Sequence, residues 1–236
     1  MDIPETEPAA DSPGAGDAAR VRAGQRVAAV ISDFGGVLTS SMQGSFEAFQ
    51  QASGIPLAQL GAAMAAIGAR LGVNPLFELE TGRLSEAEFL RALGEQLSQQ
   101  LGRPVDMNGF GEQYFAGLIP NERMIGYMRE LRGRGYRMAI CTNNVREWEQ
   151  RWRAMLPVEE IFDVVVDSAF VGTRKPEPRI YELTLERLGL EAGSALLIDD
   201  IELNCTGARE IGIRAVWFQS TEQAIADIEA VLGDGG

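Results

Sequence analysis

Carboxylate and hydroxyl side chains stand directly after three short apolar segments of the chain. Asp33 follows the first segment, Thr142 follows the second, and Asp199 with Asp200 follows the third. A short unbroken apolar run is typical of a strand that is buried on both faces of a parallel sheet. Ligands bind to such sheets at the carboxyl ends of the strands, where the ends converge on one crevice. We therefore expect these side chains to lie close together.

The residue types at these points favour a site for a hard cation. Three carboxylates in one crevice repel one another and resist ionisation unless a cation lies among them. Oxygen ligands without histidine or cysteine favour Mg²⁺. The chain contains no histidine, which excludes Ser-His-Asp catalysis, HExxH zinc sites and every His-ligated metal. All 21 basic residues are arginine except Lys175, which lies in a loop after a further predicted strand.

A site that holds Mg²⁺ and an ammonium group suits an anionic substrate, most naturally a phosphoryl group. Thr142 and Asn143 can donate hydrogen bonds to its oxygens, and Asp33 can attack phosphorus to form an aspartyl phosphate that water then hydrolyses. Lys175 fits as the charge that holds nucleophile and phosphate together. Each residue also has a simpler interpretation: helix or turn caps for the acids, a turn hydroxyl for Thr142 and a solvated loop charge for Lys175. Their shared position at strand ends favours the chemical interpretation.

The net charge and the apolar content of the chain limit the classes of molecule that it can bind. The net charge of −13 over 236 residues argues against nucleic acid and against an anionic membrane, because both need a basic surface. The sequence shows no basic-then-apolar leader and no run of about 18 apolar residues, so we expect a cytoplasmic, soluble protein. Cys141 and Cys205 lie within apolar or helical patterns and do not predict a disulfide framework. The expected partner is a small phosphorylated molecule.

The elements that must position these residues predict an α/β fold: a doubly wound, Rossmann-like parallel sheet with a helical cap inserted after the first strand. Residues 1–24 are rich in Ala, Pro, Gly and acid and are expected to form a disordered acidic tail. Residues 44–116 show helix spacing without a strand-like segment and are expected to form the cap. Residues 25–43 and 117–236 are expected to form the core domain.

Local signals add detail to this plan. Strands are expected at 27–32, 136–141, 164–166, 195–198 and 213–218. Ser85 and Glu88 have the spacing of a capping box, and Asn121 is expected to cap the helix that follows it. Phe77–Arg83 is expected to form a turn.

The motifs SDFGGVLT, AICTNN, RKPEPRIY and LLIDDIELN resemble those of the haloacid dehalogenase (HAD) superfamily of phosphohydrolases. The likeness spans roughly residues 27–218 and extends to the amino-terminal phosphatase domain of soluble epoxide hydrolases and to bacterial sugar-phosphate phosphatases. It implies that Asp33 is the nucleophile, that Thr142 and Asn143 bind phosphate, and that Lys175 steadies the charge.

The resemblance also implies a metal site. Asp33, the backbone carbonyl of Gly35 and Asp200 would hold Mg²⁺, with Asp199 and Asn204 in support. The superfamily usually has an aspartate two residues after the nucleophile, serving as general acid and then base, and here that position is Gly35. The missing proton transfer costs on the order of 10²–10⁴ in rate.

Four further residues are candidates for contact with the substrate, each with a structural alternative. Arg146 either contacts the substrate or pairs with Glu149, and Glu78, Glu80 and Arg83 either face the pocket or form a solvated turn.

Three alternative functions stay open. A phosphoacceptor signalling module uses the same residue types, although there the acidic pair precedes the acceptor aspartate. A 2-haloacid dehalogenase-like hydrolase needs no divalent metal, so the pair Asp199-Asp200 argues against it. A catalytically impaired, phospholigand-binding member of the superfamily is suggested by Gly35.

Overall fold

The computed structural model describes residues 26–233, leaving aside a few side chains in the first helix. The predicted tail therefore lies outside the described residues. The strands are β1 Ala29–Ser32, β2 Arg137–Thr142, β3 Val164–Asp167, β4 Ala195–Asp199 and β5 Arg214–Trp217. The helices are α1 Met42–Ser53, α2 Leu57–Leu71, α3 Pro75–Glu80, α4 Glu86–Leu101, α5 Phe110–Ala116, α6 Glu122–Gly133, α7 Glu149–Arg153, α8 Val158–Ile161, α9 Ser168–Val171, α10 Pro178–Leu188, α11 Glu202–Glu210 and α12 Thr221–Gly233.

The five strands form one sheet in the order β3-β2-β1-β4-β5, and every neighbouring pair is parallel. The central strand is β1, whose four residues are all buried. It aligns with both neighbours, because Ser32 lies opposite Ile140 of β2 and Ile198 of β4. The carboxyl ends of these three strands therefore meet at the same edge, and the predicted doubly wound parallel sheet is confirmed.

Alternate residues of the sheet pack into two apolar cores, one on each face. Val30, Met138 and Leu196 pack with apolar side chains of α6 and α12. Ile31 and Leu197 pack on the other face with side chains of α10. Because both faces are covered, the strands consist of nearly continuous apolar residues, as expected for a parallel sheet.

Helices α1–α5 follow β1 and build a separate apolar cluster. The capping box of Ser85 and Glu88 opens α4 as predicted. The predicted turn at Phe77–Arg83 is wrong in its first half, since its residues up to Glu80 belong to α3. Asn74 caps this helix through a 3.0 Å hydrogen bond from Leu76 N, and Pro75 occupies its first position, where a missing N–H costs nothing.

Two adjacent segments connect this helical block to the sheet. Thr39 on the outgoing segment forms an antiparallel bridge with Pro120 on the returning segment. Ser40 N donates to Ile119 O at 2.7 Å, and Asn121 N donates to Leu38 O at 2.9 Å. Asn121 also caps α6, as predicted. The helical block thus leaves and rejoins the sheet at one place.

Two further predictions need adjustment. Thr142 and Asp199 are the last residues of β2 and β4 and do not lie beyond them. After β2, a 3₁₀ turn, Arg146–Trp148, leads into the short α7. No helix within residues 26–233 is both long and apolar enough to cross a lipid bilayer.

Candidate active site

Backbone hydrogen bonds fix Asp33 at the end of β1. Its N–H donates to Ile198 O at 2.9 Å, which continues the pairing with β4 by one residue. Its carboxylate Oδ1 accepts the N–H of Phe34 at 2.7 Å. Only 7% of the residue is exposed. The carboxylate is therefore held in one orientation inside the protein.

The ammonium of Lys175 lies between two carboxylates. Lys175 Nζ is 2.9 Å from Asp33 Oδ1 and 2.6 Å from Asp199 Oδ2, and the residue is 1% exposed. Burial disfavours its charged form, but the charges of Asp199 and Asp33 outweigh burial and raise the pKa of Lys175 well above its ordinary value. The lone lysine of the chain is thus a permanent cation at the strand ends.

The side chain of Asn143 holds the loop that carries Lys175. Asn143 Oδ1 accepts the backbone N–H of Lys175 at 2.8 Å, and Asn143 Nδ2 donates to the backbone carbonyl of Lys175 at 3.0 Å. Both ends of the amide are thereby engaged, so Asn143 positions the Lys175 loop. Its contact with phosphate stays a prediction. Thr142 lies beside it at the end of β2 and is 1% exposed.

Asp199 is surrounded by donors. Its Oδ2 receives Lys175 Nζ, and its Oδ1 accepts the N–H of Ile201 and the side-chain amide of Asn204, each at 2.9 Å. The carboxylate is completely buried. Asn204 thus holds Asp199, and Asp199 holds the ammonium of Lys175. The supporting role of both residues in a metal site stays a prediction.

The three aspartates fit a hard cation. Asp33, Asp199 and Asp200 each offer a carboxylate oxygen, and these oxygens lie within 4.8 Å of one another. Because the oxygens of Asp199 already receive three donors, Asp33 and Asp200 are the carboxylates that suit a metal. Gly35 is half-buried in the turn after Asp33. An all-oxygen donor set is the one that Mg²⁺ prefers.

Burial and mutual repulsion raise the pKa of both candidate metal ligands. Burial is the main cause of the rise of the Asp33 pKa from 3.8 to about 7, which Lys175 opposes and Asp199 and Asp200 reinforce. Burial, and then the charge of Asp199, raise the pKa of Asp200 to about 6. A cation bound between these carboxylates would favour their charged forms.

Gly36 makes room for the Asp200 carboxylate. Its φ is +77°, and a Cβ at this position would lie 2.1 Å from Asp200 Oδ2. Gly36→Ala is therefore expected to displace Asp200 and to lower Mg²⁺-dependent activity on the order of 10²-fold. Gly54→Ala is the matched control, since its φ is +66° and no atom lies within 4 Å of the added Cβ. Titration of activity with Mg²⁺ checks this; equal losses in both variants would contradict it.

Arg146 and the candidate residues of the helical block are engaged outside the carboxylate cluster. Arg146 is exposed, donates to the carbonyl of Ala169 and lies over the ring of Phe170, with 4.8 Å from Cζ to the centroid. This placement joins Arg146 to α9, and its contact with the substrate stays a prediction. Glu78 and Arg83 pair with each other at 2.8 Å.

Sequence reasoning missed an aromatic contact above the site. Tyr114 of α5 stacks on Trp148, with ring centroids 4.8 Å apart, and Trp148 Nε1 donates to Glu86 at 2.7 Å. Burial raises the pKa of Tyr114, and the charges of Asp33, Glu80 and Asp200 raise it further. No motif marks these residues, and helix spacing alone places them in an ordinary core.

Comparisons with known proteins agree with this architecture. The family model for haloacid dehalogenase-like hydrolases matches residues 27–212. Phosphatase MT3486 of Mycobacterium tuberculosis is 30% identical over 89% of this chain and 99% of its own length. Acyl-CoA dehydrogenase family member 10 of Mus musculus is 29% identical over 89% of this chain, which spans only 20% of that protein.

A solved structure has the same fold. It is a HAD family enzyme from Bacteroides thetaiotaomicron in complex with magnesium and inorganic phosphate, 23% identical, with a TM-score of 0.61 over 83% of this chain and 96% of that chain. The match of the family model covers well over half of the sequence, and the sheet and its strand-end cluster agree with it. The chain therefore belongs to the haloacid dehalogenase-like hydrolase family.

Proposed function

We propose that the protein is a Mg²⁺-dependent phosphomonoester hydrolase that acts on a small phosphorylated metabolite through an aspartyl phosphate on Asp33. The observation that carries this proposal is the Lys175 ammonium, which lies within 3 Å of both Asp33 and Asp199 beside the carboxylate of Asp200. A cation fixed next to a buried carboxylate, with an all-oxygen metal site adjoining it, suits transfer of an anionic group to that carboxylate.

The residues present account for the attack on phosphorus and for the charge at the phosphoryl group. A carboxylate oxygen of Asp33 forms a bond to phosphorus while the bond between phosphorus and the leaving oxygen breaks. Lys175 offsets the negative charge that both groups carry, and Thr142 donates to a phosphoryl oxygen. When bound at Asp33, Gly35 and Asp200, Mg²⁺ supplies further positive charge at the phosphoryl group. Because Gly35 carries no carboxylate, the leaving oxygen takes its proton from water. The hydroxide that remains attacks the acyl phosphate, which releases phosphate and restores Asp33.

The helical block is proposed to be the cap of this site, with residues 25–43 and 117–236 as the core domain. Two contacts join the helical block to the core domain. Tyr114 stacks on Trp148, and Glu80 pairs with Arg174, the residue before Lys175. The cap would exclude water and contact the part of the substrate that leaves.

Because position 35 is glycine, the rate is expected to depend on how good a leaving group the substrate carries. With no carboxylate at this position, substrates with good leaving groups need acid catalysis least, so glucose 1-phosphate is expected to turn over faster than glucose 6-phosphate. The backbone at Gly35 lies outside the left-handed region, so an aspartate can adopt it. Gly35→Asp is expected to raise turnover of glucose 6-phosphate at least about tenfold and that of glucose 1-phosphate less. A preference of the unaltered protein for glucose 6-phosphate would count against this view.

Mg²⁺ is expected to stabilise the protein more at pH 8 than at pH 5. The raised pKa values of Asp33 and Asp200, about 7 and about 6, mean that the metal-free folded protein holds protons that the unfolded chain has released. Their contribution to stability is therefore present below about pH 4 and is lost as the pH rises towards 7. Mg²⁺ competes with these protons, so its effect on Tm grows over the same interval. Thermal melts with and without MgCl₂ test this, and an effect independent of pH would contradict it.

The proposal as a whole is tested by a screen of phosphorylated metabolites with Mg²⁺, with Asp33→Asn as the inactive control. Phosphate release that EDTA abolishes supports it. Halide release from a 2-haloacid, unaffected by EDTA, would instead identify a dehalogenase. A stable aspartyl phosphate without turnover would identify a phosphoacceptor, and metal-dependent binding without either reaction would identify a phospholigand-binding protein.

A further inference from the structure

The carboxyl end of α3 in the cap lies against the loop that precedes Lys175. Glu80 Oε2 is 2.6 Å from Arg174 Nε, and the two side chains are only 16% and 14% exposed. The backbone carbonyl of Glu80 accepts the hydroxyl of Ser168, at the start of α9. Glu80 is thus held by the core domain through both its side chain and its backbone.

Neighbouring contacts hold the same segment in place. The guanidinium of Arg174 lies over the ring of Phe77, with 3.9 Å from Cζ to the centroid. Gly82 has φ +68°, and a Cβ there would lie 2.3 Å from the carbonyl oxygen of Ala169. The backbones of the two domains therefore approach as closely as a glycine permits, and α3 is seated directly on the loop.

This loop is held from its other side by the sheet. Arg174 precedes Lys175, whose backbone N–H and carbonyl are both bonded to the side chain of Asn143. The contact with the cap and the contact with Asn143, next to the end of β2, therefore lie on consecutive residues. A shift of Arg174 moves the backbone of Lys175, to which the lysine side chain is attached. Such a movement changes the position of the ammonium relative to Asp33 and Asp199, which it contacts in the structure.

We propose that Glu80 and Arg174 are positioning residues whose ion pair links seating of the cap to placement of the Lys175 ammonium; this rests on the proposed phosphatase function. Opening of the cap to admit a substrate separates the pair, and closing restores it. Burial raises the pKa of Glu80, and the charges of Arg174 and Lys175 oppose that rise, so the Glu80 carboxylate also interacts electrostatically with the Lys175 ammonium. The pair is shielded from water, which makes its charge interaction stronger than that of an exposed pair.

The test compares Glu80→Gln with Glu78→Gln. The control removes a carboxylate of the same helix that also pairs with an arginine, but this second pair is more exposed, at 23% for Glu78 and 53% for Arg83. Two readouts are needed. One is hydrogen–deuterium exchange of residues 75–84 and 172–175 in the full chain, and the other is kcat and KM for p-nitrophenyl phosphate with Mg²⁺.

Glu80→Gln is expected to speed hydrogen–deuterium exchange at least about fivefold in each of the two segments. It is also expected to lower kcat about tenfold at nearly constant KM. Glu78→Gln is expected to change neither readout more than about twofold. The double variant Glu80→Gln with Arg174→Gln is expected to lower kcat no further than Glu80→Gln, because the two residues act as a pair.

Faster exchange in 75–84 alone, with kcat unchanged, would overturn the proposal, because the pair would then hold the cap without acting on Lys175. Unchanged exchange in both segments would also overturn it. If the unaltered protein releases no phosphate from any substrate, the proposed function fails. Faster exchange of both segments in Glu80→Gln would then still show that the ion pair connects the cap to the Lys175 loop.

Discussion

Asp33→Asn is expected to lower kcat with Mg²⁺ by at least about 10⁴-fold, because the amide cannot form the acyl phosphate and replaces a charged metal ligand. The substitution keeps the size of the side chain. It also removes a buried carboxylate whose pKa is raised to about 7, so folding no longer opposes its ionisation above that pH. The variant is therefore expected to be at least as stable as the unaltered protein at pH 8. Steady-state kinetics and thermal melts on the same preparation measure both effects.

Asp227→Asn on α12 is the control for the same change of carboxylate to amide, since Asp227 is exposed and contacts Gln223 of its own helix. It is expected to leave kcat within about twofold. Residual turnover above one per cent in Asp33→Asn would identify another group as the nucleophile. Mass spectrometry after acid quenching offers an independent check, because the phosphorylated peptide must contain Asp33.

Lys175→Met is expected to abolish activity and to lower the free energy of unfolding by about 3–5 kcal/mol, the usual cost of removing one partner of a buried ion pair. Asp33 and Asp199 would be left facing each other without their cation. Without the charge of Lys175 the pKa of Asp33 would rise further, so the loss of stability is expected to grow as the pH rises and to be smaller near pH 5. Chemical denaturation at pH 5 and pH 8 measures this difference.

A second substitution separates stability from chemistry at this site. Lys175→Met combined with Asp199→Asn is expected to recover much of the lost stability, because one of the two uncompensated charges is gone, but to recover no activity. Arg179→Met, which removes an exposed cation from α10, is expected to change stability by less than about 1 kcal/mol. If Lys175→Met and Arg179→Met destabilised the protein equally, Lys175 would not be the partner of buried carboxylates.

The central sheet and its acidic strand ends could be predicted because their cause is local. An apolar run followed by Asp33, and another followed by Asp199-Asp200, places both acids at one edge of any parallel sheet. The lone lysine stood out by composition alone. The start of α3 could also have been predicted, since Asn74-Pro75 is a capping residue followed by proline.

Contacts between distant parts of the chain could not be predicted in this way. Asn143 has the donors that a phosphate needs, and only the folded chain shows that its amide holds Lys175, 32 residues away. Glu80 and Arg174 are 94 residues apart, and nothing in either local pattern indicates the other. Tyr114 has the spacing of a core residue whether it faces the core or the site. The contacts of Glu80 and Tyr114 depend on how the helical block packs against the rest of the protein.

The central place of β1 in the sheet has a consequence for biosynthesis. This strand leaves the ribosome first among the five, yet its partner β4 begins at Ala195, about 160 residues later, a delay of roughly 8–30 s at ordinary rates of translation. Helices α1–α5 depend on short-range contacts and can form during that wait. A nascent chain that stops before Ala195 would expose one edge of its most apolar strand. Premature termination is therefore expected to yield aggregates, whereas the completed chain covers β1 on both sides.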